Sequence, residues 1–181
     1  KMPYDGKLGW GILELVDIKS SPYPGASVVP DYCRITYDRR LLVGETRESV
    51  LKPLKDLLDE MSLQDKEFSA EVSLARGIEK CWTGKDITGE RFFPGWNFEE
   101  RESYVQKALT GLFEEGLNPK ITQYSFCTNG SFYAGEAGIK TIGFGPSIEG
   151  LAHTIDEYIK LGQIEKAVRG YRGICRSLLQ V

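Results

Sequence analysis

The sequence feature that most constrains the fold is the hydrophobic pattern, which switches along the chain between the two-residue period of a strand and the period of a helix. Residues 8–18 and 33–38 predict two strands, and residues 46–61 carry apolar side chains at helical spacing. Residues 68–74 alternate again and predict a third strand. The first part of the chain therefore predicts a strand–strand–helix–strand unit over residues 8–75, with the helix on one face of a small sheet.

The start of the first helix has two candidate caps, Thr46 and Ser49. Pro53 favours Ser49, because proline is tolerated near the first turn and kinks a helix further in.

The second part of the chain, residues 98–181, predicts the order helix, strand, helical turn, strand, loop, helix. Asn97 and Glu100 have the spacing of a capping pair, and Gly116 with Pro119 would end the helix that follows. The expected later elements are strands at 121–126 and 139–144, a helical turn at 128–137, a glycine-rich loop and a last helix from Leu161 to Leu178. Both parts together predict an α/β protein.

Residues 76–97 separate the two parts and are rich in glycine and aromatic residues. We predict a crossing segment held in place by its four large rings, Trp82, Phe92, Phe93 and Trp96.

Composition excludes several classes of protein. The 23 Lys and Arg against 26 Asp and Glu give a net charge of −3, which disfavours a nucleic-acid partner. No apolar run is long enough to cross a membrane. The four cysteines are dispersed, which favours reduced thiols and a cytoplasmic location, with Cys33 and Cys175 packed in the core.

His153 is the only histidine, in a loop after a predicted strand, where open α/β sheets place ligands. Its neighbours Glu149, Asp156 and Glu157 are candidate acceptors for the ring N–H. A single imidazole cannot form a zinc site, which needs three protein ligands. A capping or surface role for His153 stays open.

Two further groups are candidate site residues. Cys127, at a strand end, could act as a nucleophile with His153 as its base, or be a buried thiol. Thr128 and Asn129, at a predicted helix start, could donate hydrogen bonds to an anionic substrate group, or simply cap the helix.

Arginines surround Asp38 on the second predicted strand, and Arg39 and Arg40 face opposite sides of it. A guanidinium can bind a carboxylate through two hydrogen bonds. The alternative is a solvated strand face with local ion pairs.

Three stretches of the sequence resemble the signatures of one zinc hydrolase family. They are Val28-Val29-Pro30-Asp31-Tyr32-Cys33 leading to Asp38-Arg39-Arg40-Leu41 and Gly44-Glu45-Thr46, then Phe126-Cys127-Thr128-Asn129-Gly130, and Ile142-Gly143-Phe144-Gly145-Pro146 followed by Ala152-His153-Thr154 and Asp156-Glu157-Tyr158. The family contains aminoacylase, acetylornithine deacetylase and succinyl-diaminopimelate desuccinylase. The middle stretch is most similar to a branch described as selenium-metabolism hydrolases.

The resemblance implies a fold for each part of the chain. Residues 1–76 would form an incomplete ferredoxin-like lid and dimerisation domain, and residues 77–181 the C-terminal part of an α/β catalytic domain. The lid's first strand and helix are missing. The sequence thus resembles the C-terminal part of such an enzyme, or a truncated or split product.

The resemblance also assigns residues. His153 matches the last zinc ligand, and Arg40 matches the lid arginine that binds the substrate carboxylate. Ser27 stands where the family often has an asparagine that contacts substrate. The complete family site holds two zinc ions and a general-base glutamate, and this chain would supply at most one metal ligand and no catalytic residue.

The expected function is part of a metal-dependent hydrolase that cleaves an amide bond, in an N-acyl amino acid or a dipeptide-like substrate, with a zinc-activated water. The isolated chain is expected to be inactive. Its expected partners are a small substrate with a carboxylate and a second copy of the chain bound through the lid. Two alternatives are a non-catalytic dimerisation or binding module and a Cys–His thiol hydrolase.

Overall fold

A computed structural model describes residues 2–179 and divides the chain into two compact units, one up to Gly95 and one from Trp96. The predicted boundary after residue 76 falls at the start of a hairpin of the first unit. The molecule has mixed α/β structure, as predicted. Its strands are β1 (Tyr4–Asp5), β2 (Gly9–Trp10), β3 (Ile12–Ser21), β4 (Tyr32–Arg40), β5 (Arg76–Lys80) and β6 (Asp86–Glu90), and its α-helices are α1 (Arg47–Gln64), α2 (Ser103–Glu114) and α3 (Leu161–Leu179).

The antiparallel pair β3 and β4 is the main sheet of the first unit, and both strands were predicted. A bulge at Val16 shifts the register, so that Leu15 lies opposite Tyr37 and Ile18 lies opposite Ile35. The bulge keeps these four apolar side chains on one face, which also carries Arg39, and leaves the other charged side chains of the ladder on the opposite face.

Helix α1 begins one turn earlier than the sequence favoured. Thr46 is the cap, and its hydroxyl oxygen accepts a hydrogen bond from the Ser49 N–H at 3.1 Å. The Ser49 hydroxyl oxygen accepts one from the Thr46 N–H at 2.8 Å, which completes a capping box. The preference for Ser49 as the cap was therefore wrong, and Pro53 lies inside the helix. The reciprocal pair satisfies two backbone donors, which a cap at Ser49 alone would not do.

The predicted third strand at 68–74 does not form. Phe68, Val72 and Leu74 are half-buried and Ala70 is exposed, so the predicted alternation is present in part. No ladder joins this segment to another strand. Alternation records which side chains are apolar, whereas a strand also needs a neighbour to accept and donate its backbone hydrogen bonds.

The segment after residue 75 forms the hairpin β5–β6, which the hydrophobic pattern does not predict. Its turn contains Gly84 at φ +82°, a conformation that favours glycine. Phe92 is buried, with the Arg47 guanidinium 4.5 Å from its ring centroid. Trp82 is 98% exposed at the turn and Phe93 is exposed too, so the prediction that all four rings pin the segment was wrong.

The second unit is built on the pair α2 and α3, which were both predicted. Ala108, Leu112 and Ile174 form its buried core. The helices cross at Gly111 and Gly173, where a Cβ on Gly111 would lie 2.5 Å from the Gly173 carbonyl carbon. Only glycine at both positions permits this approach. The predicted Asn97–Glu100 cap was wrong, because α2 begins at Ser103.

Residues 121–126 and 139–144 form no strand ladder, so these two predicted strands are also absent from the described part of the chain. The segment 139–144 nevertheless packs on the helices through Ile142 and Phe144. The Phe144 ring lies 5.2 Å from the Tyr171 ring, and the Phe144 backbone carbonyl accepts a hydrogen bond from the Tyr171 hydroxyl at 2.5 Å. Phe144 thus contacts α3, although its segment forms no sheet.

The four cysteines are free, as predicted. Cys33, Cys127 and Cys175 are exposed, so the expected core role of Cys33 and Cys175 was wrong.

Across residues 2–179, no helix combines the length and apolar content needed to cross a membrane.

A carboxylate between the two helices predicts acid sensitivity of the second unit. Glu115 accepts a hydrogen bond from the Arg172 Nε at 2.9 Å, and this bond holds its pKa below the usual value of 4.5. A lowered folded-state pKa contributes stability above the unfolded-state pKa and loses it as pH falls through the folded-state value. We expect Glu115→Gln to lower the urea midpoint at pH 7 and to have no effect near pH 2. Equal losses at both pH values would contradict this prediction.

Candidate functional site

The loop that carries His153 has an unusual backbone. Ser147, His153 and Asp156 have φ values of +75°, +61° and +59°, and they are the non-glycine residues with positive φ within residues 2–179. Side-chain-bearing residues avoid this conformation unless the surroundings hold them in it, and such residues cluster at functional sites. The sequence predicted the loop but not the strain.

Two contacts hold the backbone around His153. The His153 N–H donates to Glu157 Oε2 at 3.0 Å, and the Thr154 hydroxyl donates to the Leu151 carbonyl at 2.9 Å. A single 3₁₀ turn, Glu149–Leu151, precedes them. The His153 side chain is exposed and makes none of the described hydrogen bonds. The expectation that Glu149, Asp156 or Glu157 accepts from its ring was wrong, because Glu157 binds the backbone instead.

Glu149 joins this loop to the segment that precedes Cys127. Its Oε1 accepts a hydrogen bond from the Ser125 N–H at 2.9 Å and another from the Ser125 hydroxyl. We call these contacts the Glu149–Ser125 clasp. The structure therefore brings the predicted residues Thr128, Asn129 and His153 onto two linked loops.

The helical turn predicted at 128–137 is a π-helix, Ser131–Glu136, with Gly130 as its N-cap, so Thr128 and Asn129 lie just before it. The Gly130 N–H donates to the Thr128 hydroxyl oxygen at 3.1 Å, so this hydroxyl closes a turn. The Trp96 ring lies directly on Gly130, where a Cβ would be 2.6 Å from the indole. Asn129 is exposed and open to a ligand. π-Helical turns are frequent at functional sites.

Cys127 and His153 are not joined by a hydrogen bond. The Cys127 thiol donates to the Thr128 carbonyl at 3.6 Å and lies 3.5 Å from the Ser131 hydroxyl oxygen. A thiol nucleophile needs contact with its base. This arrangement gives the Cys–His alternative no support.

Tyr124 borders the same region. Its ring stacks on Phe126 at 5.2 Å and covers the backbone of Gly143. Partial burial raises the pKa of the Tyr124 phenol above its usual value, and the hydroxyl, which is protonated at neutral pH in either case, can donate a hydrogen bond.

Arg40 and Ser27 lie in the first unit at opposite ends of one hairpin. Arg40 pairs with Ile12 at one end of the ladder, and Ser27 is in the loop beyond Tyr32 at the other. A rise of about 3.3 Å per residue separates the two ends by roughly 26 Å. Arg40 and the loop of Ser27 therefore follow opposite ends of this ladder.

The Arg40 guanidinium is half-exposed and lies 3.3 Å from the Asp38 carboxylate. An exposed pair of this kind is worth about 0–1 kcal/mol, so a substrate carboxylate can compete for the guanidinium.

Arg39 points to the opposite side, as predicted, and pairs with Glu45 beside a groove of about 560 Å³ lined by Pro3, Leu13, Val43, Val50 and Leu54. No local sequence pattern indicates this groove, because its walls come from separate segments that only the tertiary structure brings together.

The donors in this chain do not by themselves form a metal site. Within residues 2–179, no three His, Cys, Asp or Glu side chains are placed to hold one ion. A stable zinc site needs about three protein ligands, and His153 can supply only one of them.

Comparisons with known proteins agree with the motif resemblance. A family model described as "Peptidase family M20/M25/M40" matches residues 18–177. Two curated relatives, each called "Uncharacterized protein YgeY", come from Escherichia coli strain K12 and Escherichia coli O157:H7. Each is 35% identical over 159 residues, which is 87% of this chain and 38% of the relative. The chain thus spans well under half the length of these relatives. No solved structure matches it significantly.

Proposed function

This chain belongs to peptidase family M20/M25/M40, and from that membership we propose that it forms the C-terminal part of a metal-dependent amide hydrolase. The observation that carries the proposal is the family match across both units, together with a strained, exposed loop that presents the only histidine. The family is the one indicated by the sequence motifs.

We assign a limited role to each residue of this chain. His153 supplies one ligand of a metal site, and residues outside this chain supply the others. Arg40 binds the carboxylate of an N-acyl amino acid or a dipeptide-like substrate and orients it. Thr128 and Asn129 lie on the segment that the clasp links to the His153 loop, and the Asn129 amide can donate to a substrate oxygen.

The reading frame upstream of Lys1 provides the test. Zinc titration of the 181-residue chain by calorimetry should show no tight binding of two ions, and an activity assay should show no hydrolysis of N-acyl amino acids. A protein extended upstream should bind metal and hydrolyse an amide. In that protein, His153→Ala should abolish both the metal binding and the hydrolysis. Tight binding of two ions and turnover by the 181-residue chain would refute the proposal, as would an extended protein that binds no metal.

Arg40 provides a test of the substrate class. In the extended protein, Arg40→Lys should raise KM for a carboxylate substrate by about 10- to 100-fold, because an ammonium cannot reproduce the two parallel hydrogen bonds of a guanidinium. The matched control is Arg34→Lys, on the same face of β4 at its other end. An equal effect of both variants would refute the assignment of Arg40.

Self-association is a further part of the proposal. Leu15, Ile18, Ile35 and Tyr37 are each about half exposed on one face of the β3–β4 pair, which is a large apolar area for a free surface. We expect a dimer by light scattering, and a monomer at high concentration would contradict this. The cytoplasmic location remains a prediction that rests on the dispersed cysteines.

A further inference from the structure

We propose that Glu149 is a positioning residue that holds the His153 loop and the Thr128–Asn129 segment in one fixed arrangement. The functional meaning of this inference rests on the proposed function, in which His153 is a metal ligand and the Thr128–Asn129 segment binds substrate. Glu149 would then keep these two groups at a fixed separation. Its structural content rests on contacts that involve neither metal nor substrate.

The first argument is that a single carboxylate oxygen binds two donors of one residue. Glu149 Oε1 accepts from both the N–H and the hydroxyl of Ser125. Hydrogen bonds to a charged acceptor are about twice as strong as neutral ones. Ser125 is two residues before Cys127, so the clasp fixes the point from which the Cys127–Gly130 segment departs.

The second argument is the place of Glu149 within its own loop. It begins the 3₁₀ turn Glu149–Leu151, and its carbonyl accepts from the Ala152 N–H at 3.0 Å. The Leu151 carbonyl accepts from Thr154, on the far side of His153. Backbone contacts therefore connect the clasp to the residues that flank the histidine.

The third argument is the strain on both sides of the clasp. Ser147 precedes it and His153 follows it, and both have positive φ. A strained backbone persists only where surrounding contacts hold it. Among the hydrogen bonds described for residues 147–157, the clasp is the one that reaches outside the loop, because the others are made within it.

Amide hydrogen exchange of the 181-residue chain tests the inference. In Glu149→Ala, we expect the amides of His153 and Gly130 to exchange about tenfold faster, although neither donates to Glu149. Glu149→Gln keeps an acceptor oxygen and should restore most of the protection. The melting temperature should change by less than about 2 °C, because the clasp is local.

The matched control is Glu165→Ala, which removes an exposed carboxylate from α3 in the same unit. It should leave both amides unchanged. Unchanged exchange at His153 in Glu149→Ala would overturn the inference, and so would a general loss of protection across α2 and α3. A failed metal or substrate test of the extended protein would refute the proposed function and leave the clasp result standing.

Discussion

Gly111→Ala should destabilise the second unit by about 2–4 kcal/mol, because the added methyl group collides with the backbone of the facing helix. The Cβ would lie 2.5 Å from the Gly173 carbonyl carbon and nearer still to the carbonyl oxygen. A flexible side chain could move aside, but a helix backbone moves only if the whole helix shifts. Such a shift would open the core of Ala108, Leu112 and Ile174.

Gly173→Ala should have an effect of similar size, since its Cβ would meet the Gly111 carbonyl group in return. The matched control is Gly162→Ala in the first turn of α3, where no heavy atom lies within 4 Å of the added carbon. This control should be neutral or stabilising by up to about 1 kcal/mol, because alanine favours the helix. Urea unfolding followed by circular dichroism measures all three. If Gly111→Ala matched Gly162→Ala, the close crossing of α2 and α3 would be disproved.

Helices were the more predictable part of this fold. The apolar spacing in α2 and α3 is a local signal, because a helix satisfies its backbone hydrogen bonds within itself. The predicted strands at 68–74, 121–126 and 139–144 show the opposite case. Some of their apolar residues are half-buried, such as Val72 and Ile142, but whether a strand forms depends on a neighbour that the local pattern does not contain. The pair β3 and β4 formed because each strand provides the other's neighbour.

The candidate site shows the same division between local and tertiary information. The sequence identified the loop of His153, and the segment of Thr128 and Asn129, because their residue types and positions are local features. It did not show that Glu149 binds Ser125, since a carboxylate among several can bind any donor that the fold brings near. Arg39 and Arg40 were placed on opposite sides by strand alternation, yet the partner of Arg39 required the structure.

Glu45→Ala should destabilise the first unit by about 2–4 kcal/mol, because it leaves a mostly buried cation without its partner. The side chains of Arg39 and Glu45 are 18% and 11% exposed. Glu45 Oε2 also accepts from the Leu42 N–H at 2.8 Å, so the substitution removes the partner of a backbone donor as well. The Arg39 Nε is already buried without a hydrogen bond, which leaves the guanidinium with little alternative compensation.

A second variant separates the charge from the packing. Arg39→Met combined with Glu45→Leu removes both charges and keeps apolar volume, so it should recover at least half of the stability lost in Glu45→Ala. The matched control is Asp56→Ala, which breaks an exposed pair with Lys52 on α1 and should leave the urea midpoint unchanged. Urea unfolding of the four proteins measures these differences. If Glu45→Ala were as mild as Asp56→Ala, water would be screening the Arg39–Glu45 pair. If the double variant were no better than Glu45→Ala, the loss would come from the Leu42 N–H and the altered volume, because an unpaired charge would no longer be present.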